Sequence, residues 1–298
     1  MGYIYIFLSI FFNAAKGYSS KKVSASLKSE HRNILFNTKR MLLSFVFAFA
    51  VVLLATPIKE LAPSFTELLI CSLSGLSMTA FALFWQITIR KNAYMLASAG
   101  SSASFIVPVV AGLLFFDESF TLSSGLSIAL IVLSLFFLLK YDSTLSGKTT
   151  KRELALVLAL VLSQGLMQCM QKVYVLHCPG KSISVYNFYY FLFAFLFSLL
   201  LLPLFQKSPS ATKDHPPAAP HEALYMVIMA GALFAVSFFQ TMAAKTVDAI
   251  ILYPLISGLS LVGGALMAAF VFREKPDRNG IIGILLVLSA VVISKFSF

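Results

Sequence analysis

Long apolar segments alternate with short polar ones along this chain. Each apolar segment is about 17–24 residues long, which is the length that a helix needs to cross the hydrocarbon layer of a membrane. The alternating pattern of a membrane barrel is absent. The pattern therefore predicts ten membrane-spanning helices, at residues 2–18, 38–57, 66–88, 93–115, 122–139, 154–174, 184–205, 223–243, 248–271 and 280–297.

The stretch from Asn92 to Lys140 occurs twice. Identical residues recur at an offset of 156 up to the turn and of 155 beyond it. The pairs are Ala93 and Ala249, Phe116 and Phe272, Glu118 and Glu274, and then Gly125 and Gly280, Ser134 and Ser289, and Lys140 and Lys295. The chain is therefore predicted to be duplicated, with halves at residues 1–141 and 154–298 and a polar linker at 142–153. Because each half holds five spans, the second half must enter the membrane upside down. The expected fold is an all-α, polytopic membrane protein built from two inverted five-helix repeats.

Composition and charge agree with a membrane protein. Hydrophobic residues make up 59% and charged residues only 12% of the chain, which is too little polar surface for a soluble domain of this length. Of the 23 Lys and Arg residues, seventeen fall in the connections after odd-numbered spans and five on the other side. The basic side is expected to be cytoplasmic, which puts both termini outside a bacterial inner membrane and explains the net charge without nucleic acid.

Two lysines are the first candidates for a functional role. Lys16 and Lys172 stand at the same 156-residue offset, near the ends of spans 1 and 6. A charge within a span is costly unless it faces a cavity or reaches the interface. The two side chains therefore either snorkel to the headgroups or stand at opposite mouths of a solute path.

A second group of candidates is polar and neutral. Gln164, Gln168 and Gln171 share one face of span 6 because they are spaced by four and three residues. A polar face on a membrane helix either joins helices or lines a wet cavity. We predict a cavity between the halves, and the expected substrate-binding residues are Asn13, Lys16, Gln86, Ser101, Gln164, Gln168, Lys172 and Gln240.

Aromatic and small residues allow structural interpretations as well. Tyr186, Tyr189, Tyr190 and Trp85 are typical of interface anchors, and they could instead wall a pocket for a flat or cationic group. The small residues of spans 4 and 9 favour close helix packing. Glu118 precedes a helix start and is interpreted as structural, since a carboxylate suits the positive end of a helix dipole.

Several kinds of chemistry are missing from the sequence. All twelve Asp and Glu residues lie in connections or at span edges, and there is no metal constellation, paired carboxylates, Ser-His-Asp set or phosphate loop. We therefore expect no enzyme activity, no metal and no cofactor. Facilitated diffusion or exchange is favoured over proton coupling, because a proton-driven exporter of cations normally carries a buried carboxylate.

The chain resembles the EamA-type members of the drug/metabolite transporter superfamily over nearly its whole length. The resemblance rests on Lys16 and Lys172, on the small-residue spans 4 and 9, on the passage 116–134 and on its copy at 272–289. Pro108 fits the family's proline in span 4, and Gly264 departs from it in span 9. The resemblance implies a basket of ten helices around a cavity lined mainly by spans 1, 3, 4, 6, 8 and 9, and alternating-access transport of a small organic metabolite. Members are usually drawn with their termini inside, whereas the charge count here favours termini outside.

The function expected from these observations is secondary transport of an amino-acid-like solute, zwitterionic or anionic, by a monomer or homodimer in a lipid bilayer. Two lysines and no acid within a span favour that substrate class. Multidrug or organic-cation efflux is the alternative within transport. A membrane-embedded enzyme or a structural membrane subunit is the alternative outside it.

Overall fold

The computed structural model describes residues 2–23, 27, 30–90, 101–140, 151–206, 220–270 and 278–293. Within these ranges the chain is all-helical. Ten α-helices are found there: α1 Gly2–Val23, α2 Glu30–Ala55, α3 Phe65–Arg90, α4 Ile106–Phe115, α5 Leu122–Lys140, α6 Lys151–His177, α7 Ile183–Gln206, α8 Glu222–Ala244, α9 Ala249–Phe270 and α10 Arg278–Ile293. A short 3-10 helix, Ile58–Leu61, lies between α2 and α3.

Most helices lie where the apolar segments predict them, although part of the predicted span 93–115 falls outside the described residues. The predicted spans 2–18 and 38–57 leave residues 19–37 as a connection. Instead α1 continues to Val23 and α2 begins at Glu30. Arg40, predicted to lie in the first turn of its span, therefore lies ten residues inside α2. The predicted linker 142–153 falls mostly on residues outside the described part of the chain.

The surface of the molecule is apolar and its interior carries many polar side chains. Leu54 is 89% exposed, Phe65 81% and Phe115 76%, whereas Ser44, Ser74 and many other hydroxyl residues are fully buried. This distribution suits a lipid environment, because side chains that would be costly in water face outward. Among the described residues, five helices are long and apolar enough to cross a membrane: α2, α3, α6, α7 and α8.

The helices of the first half pack mainly against helices of the second half. The closest pairs are α1 with α8 and α9, α2 with α7 and α8, α3 with α6 and α7, α4 with α6 and α9, and α5 with α9 and α10. Hydroxyl groups join several of these pairs: Ser44 Oγ donates to the Ala230 carbonyl at 3.0 Å, and Ser127 Oγ to the Ala290 carbonyl at 3.1 Å. Such bonds between helices satisfy polar groups that have no water partner.

Polar contacts show which connections share an end of the molecule. Lys181, between α6 and α7, donates to the carbonyl oxygen of Ala62, between α2 and α3. Lys172, near the end of α6, contacts both the α4–α5 and the α8–α9 connections. Arg32, in the first turn of α2, pairs with Glu222 at the start of α8, at the other end. The connections after even-numbered helices thus lie together, opposite those that precede α2 and α8.

Candidate functional site

Lys172 is turned into the protein and forms a buried ion pair. Its Nζ atom lies 3.1 Å from Glu118 Oε1, and the two side chains are only 8% and 4% exposed. The same ammonium donates to the carbonyl oxygens of Val247 at 3.1 Å and Ala244 at 3.4 Å. Snorkelling toward headgroups is therefore the wrong interpretation for this lysine.

Glu118 reaches this position because the chain folds back on itself after α4. Asp117 adopts a left-handed backbone conformation, with φ of 51°, which Asp tolerates better than most residues. The Glu118 N–H then donates to the Gly112 carbonyl at 3.2 Å. A Cβ atom at Gly112 would lie 2.7 Å from Glu118 Oε2, so any larger residue there would require the carboxylate to move from its present position.

The Glu118 carboxylate also caps a helix of the other half. It accepts hydrogen bonds from the N–H groups of Ala249 at 2.7 Å and Ile250 at 3.0 Å, the first two residues of α9. These groups lack partners within their own helix, and the dipole of α9 favours a negative charge there. The structural role expected for Glu118 is thus seen, but at α9 rather than at the adjacent α5. The Glu118–Lys172 pair joins the first half of the chain to α6 and α9 of the second.

The opposite end carries the Arg32–Glu222 pair and two further cations, each several residues from the end of its helix. Lys16 in α1 and Arg40 in α2 are both partly buried, and both helices pack against α8. The Nε atom of Arg40 is buried without a hydrogen-bond partner in the described part of the chain. Tyr190 lies in α7, which packs closely against α2.

The amide side chains of α6 that were predicted to line the cavity lie inside the helix bundle. Ser101 Oγ donates to Gln164 Oε1 at 2.5 Å, which links the helical residues just before α4 to α6. Gln168 and Gln171 are 2% and 1% exposed, and their side-chain Oε1 atoms have no hydrogen-bond partner among the described atoms. The predicted polar face of α6 therefore points into the protein and not toward lipid.

The remaining predicted residues lie on other helices of the bundle. Gln240 is buried in α8 and Asn13 is partly buried in α1, the helix packed against α8. Gln86 lies in α3, and its side chain is outside the described part of the structure. Ser101 and Gln164 are thus brought into direct contact, and Lys16 and Lys172 stand toward opposite ends.

The tyrosines of α7 are packing residues. Tyr186 and Tyr190 are 0% and 1% exposed and stack at 5.7 Å between ring centroids. Tyr186 donates to Ser74 Oγ at 3.0 Å, and Tyr189 to the Leu61 carbonyl at 2.7 Å. Interface anchoring is therefore wrong for Tyr186 and Tyr190, which fill the space between helices.

Comparison with known proteins agrees with the sequence resemblance over the second half of the chain. Residues 151–296 match the EamA-like transporter family. That family belongs to the drug/metabolite transporter superfamily, and the match suggests a membrane transporter.

The whole chain shares its fold with a protein of known crystal structure. The two superpose with a TM-score of 0.79 over 98% of this chain and 96% of that one, at 12% sequence identity. At that identity the likeness concerns the fold alone. No curated protein matches the chain at a significant level.

Sequence reasoning missed two features of this protein. Arg40 was predicted to lie at the start of span 2 because basic residues cluster before it, although no Gly or Pro interrupts the chain between Gly17 and Pro57, which is a sign that the helix begins earlier. The partner of Lys172 was missed because Glu118 lies 54 residues away in sequence, and nothing local indicates the contact.

Proposed function

We propose that this EamA-like protein is a secondary transporter that moves a small organic metabolite by alternating access. It crosses the membrane ten times, as two inverted five-helix repeats at residues 1–141 and 154–298, with both termini outside. Its substrate is amino-acid-like and either zwitterionic or anionic. The observation that carries the proposal is the symmetry of the helix packing between the halves.

Exchanging the two halves converts most of the packed helix pairs between them into one another; α5–α9 is the exception, because α4 and α10 are not among the closely packed pairs of the described residues. The contact of α1 with α8 corresponds to that of α6 with α3, and α3 with α7 corresponds to α8 with α2. Likewise α1 with α9 corresponds to α6 with α4, whereas the pairs α2–α7, α4–α9 and α5–α10 correspond to themselves. With an odd number of crossing helices in each half, such an exchange supports a twofold axis in the membrane plane.

Two ion pairs follow the same exchange. Lys181, just before the second helix of the second half, lies 3.4 Å from Glu67 at the start of α3. Arg32, in the second helix of the first half, lies 3.0 Å from Glu222 at the start of α8. The two pairs lie at opposite ends of the molecule, which is the arrangement expected of inverted repeats.

The Glu118–Lys172 pair breaks this symmetry and supports alternating access. Lys16 is the counterpart of Lys172 at the 156-residue offset, and no ion pair involves it within the described residues. The Glu118–Lys172 ion pair holds helices together at the Lys172 end, and the described residues form no equivalent ion pair with Lys16. This asymmetry fits one state of a transporter whose two halves rock against each other. The opposite state requires the Glu118–Lys172 pair to separate.

Charge distribution supports the substrate class. Lys16 and Arg40 present positive charge toward the interior, and buried amides of α6 offer hydrogen-bonding groups to a polar solute. Organic-cation efflux rested on Trp85 and on the tyrosines of α7, and Tyr186 and Tyr190 are occupied in packing. The Glu118 carboxylate is engaged by two backbone N–H groups and by Lys172, and this structural use favours facilitated diffusion or exchange over proton coupling.

Uptake into proteoliposomes tests the proposal. The purified protein is reconstituted, and entry of labelled amino acids, dicarboxylates and permanent organic cations is measured against protein-free liposomes. We expect saturable uptake of at least one zwitterion or anion, unchanged when an ionophore collapses the pH gradient. Transport of permanent cations alone would contradict the substrate class, and a rate that follows the imposed pH gradient would contradict the coupling.

A further inference from the structure

Two cations of the first half lie at a similar depth near one end of the helix bundle. Arg40 stands about 15 Å along α2 from its first residue, and Lys16 about 10 Å from the end of α1, at 1.5 Å per helical residue. Both side chains are partly buried, and α1 and α2 both pack against α8. Burial raises the free energy of these charges unless something negative joins them.

Every acidic residue that forms an ion pair within the described ranges pairs with another cation. Glu118 and Asp248 lie beside Lys172, and Glu67 beside Lys181. Glu222 pairs with Arg32, near the start of α2. Within the described ranges, no ion pair involves Lys16 or Arg40. The counter-charge for these two cations therefore does not come from that part of the chain.

The Arg40 guanidinium has unused hydrogen-bonding capacity. Its Nε atom is buried and has no acceptor among the described atoms. The neighbouring Tyr190 hydroxyl, in a ring that is 1% exposed, donates to Met167 Sδ at 3.2 Å. A guanidinium presents its donors in a planar fork that matches the two oxygens of a carboxylate or phosphate. An anionic group would satisfy the buried donor and offset both charges.

The position is also a departure from the internal repeat. α7, the counterpart of α2, contains no basic residue between Ile183 and Gln206. Arg40 therefore belongs to one half only, and repeat symmetry supplies no partner for it. Lys16 does have a repeat counterpart, Lys172, whose partner Glu118 corresponds to Glu274, a residue outside the described part of the chain. Substitution of Arg40 therefore distinguishes binding of a ligand from an ion pair made within the protein, whereas substitution of Lys16 does not.

We propose that Lys16 and Arg40 form a subsite that binds the anionic group, carboxylate or phosphate, of the transported solute. The proposal rests on the transport function proposed above and makes it more specific. Lys16 supplies a compact charge from α1, and Arg40 supplies directional hydrogen bonds from α2. The same chemistry would suit a phospholipid headgroup, and we assign the subsite to a dissolved solute because both side chains are partly buried and Arg40 Nε is fully so.

Ligand-induced stabilisation of the purified protein tests the subsite directly. Succinate and inorganic phosphate are titrated separately against the wild type, Lys16→Gln and Arg40→Gln, and the rise in melting temperature is measured. We expect both variants to weaken binding of the stabilising anion about tenfold or more, as for loss of a charged hydrogen bond. Arg40→Lys should bind more tightly than Arg40→Gln, because it retains the charge.

The matched control is Lys39→Gln. Lys39 is adjacent to Arg40 in sequence and exposed, so this variant removes the same charge without entering the subsite. Its anion affinity should equal that of the wild type. Equal affinity in Arg40→Gln and Lys39→Gln would overturn the proposal, and so would stabilisation by neutral or cationic solutes only. The melting temperature without ligand shows whether each variant is folded.

A second arm distinguishes the lipid from the solute. The titration is repeated with and without phosphatidylglycerol in the micelles. If that lipid alone stabilises the wild type, and Arg40→Gln abolishes its effect, the subsite belongs to a headgroup and the solute assignment is wrong. Because this assay requires no gradient, its failure can be told apart from a failure of transport. If proteoliposomes transport only a neutral solute, the transport function stands and the anion subsite is rejected.

Discussion

Removing the charge of Glu118 should destabilise the protein far more than a typical surface substitution. In Glu118→Gln the carboxylate that accepts two N–H groups of α9 becomes a neutral amide, and Lys172 is left buried without its counter-ion. At the 3.1 Å separation of the pair, and with an effective dielectric constant of about 20, the lost attraction is about 5 kcal/mol before solvation is considered. Because burial of the two charges offsets much of this value, the expected loss is about 3–5 kcal/mol.

A double-mutant cycle isolates the contribution of the pair. The variants are Glu118→Gln, Lys172→Gln and the double substitution, and unfolding of the purified protein in mixed micelles gives each free energy. We expect the double variant to be more stable than the sum of the single losses implies, since removing both charges leaves neither one unpaired. The coupling free energy should be about 2 kcal/mol or more.

Asp248→Asn is the matched control, because Asp248 lies 4.0 Å from the same ammonium with its side chain 61% exposed. An exposed pair at that distance is screened by solvent, so the change in unfolding free energy should be below about 1 kcal/mol. A coupling free energy between Glu118 and Lys172 no larger than the effect of Asp248→Asn would refute the inference that this pair joins the two halves.

Two further predictions concern packing and reactivity. Gly75→Ala should lower the melting temperature by several degrees, because a Cβ atom there would lie 2.7 Å from the Ala194 backbone nitrogen, whereas Gly17→Ala, with nothing within 4 Å, should have little effect; equal melting temperatures would contradict the close approach of α3 and α7. Burial raises the pKa of the Cys178 thiol, and the nearby Glu67 carboxylate raises it further. A smaller thiolate fraction at pH 8 should make alkylation of Cys178 slow in a protein lacking the other two cysteines, and Glu67→Gln should accelerate it; an unchanged rate would show that the carboxylate does not act on this thiol.

Local pattern was sufficient for the helices. A run of about twenty apolar residues can satisfy its backbone in lipid only as a helix, so the segments predicted at 66–88, 122–139 and 184–205 differ from the observed helices by only a few residues. The Ser101–Gln164 contact was not foreseen as a pair, although each residue was chosen individually for its polar character. The polar face of α6 was recognisable because its three glutamines follow the period of one helix.

The hydropathy pattern along the chain does not predict contacts between distant segments. The start of α2 was misplaced because Phe36, Asn37 and Thr38 are held in helix by burial against the rest of the bundle, an effect that hydropathy along the chain does not record. That misplacement put Arg40 at the start of a span, whereas it lies ten residues inside α2.

By itself, the sequence predicted the positions and apolar character of most helices, an internal duplication and the polar residues that lipid would not accept. Only the tertiary structure decided which of those residues meet. Lys172 could have extended to the headgroups or turned inward, and the two conformations differ little in local sequence preference. The choice depends on Glu118 and the first N–H groups of α9, which approach one another only when helices of both halves pack together.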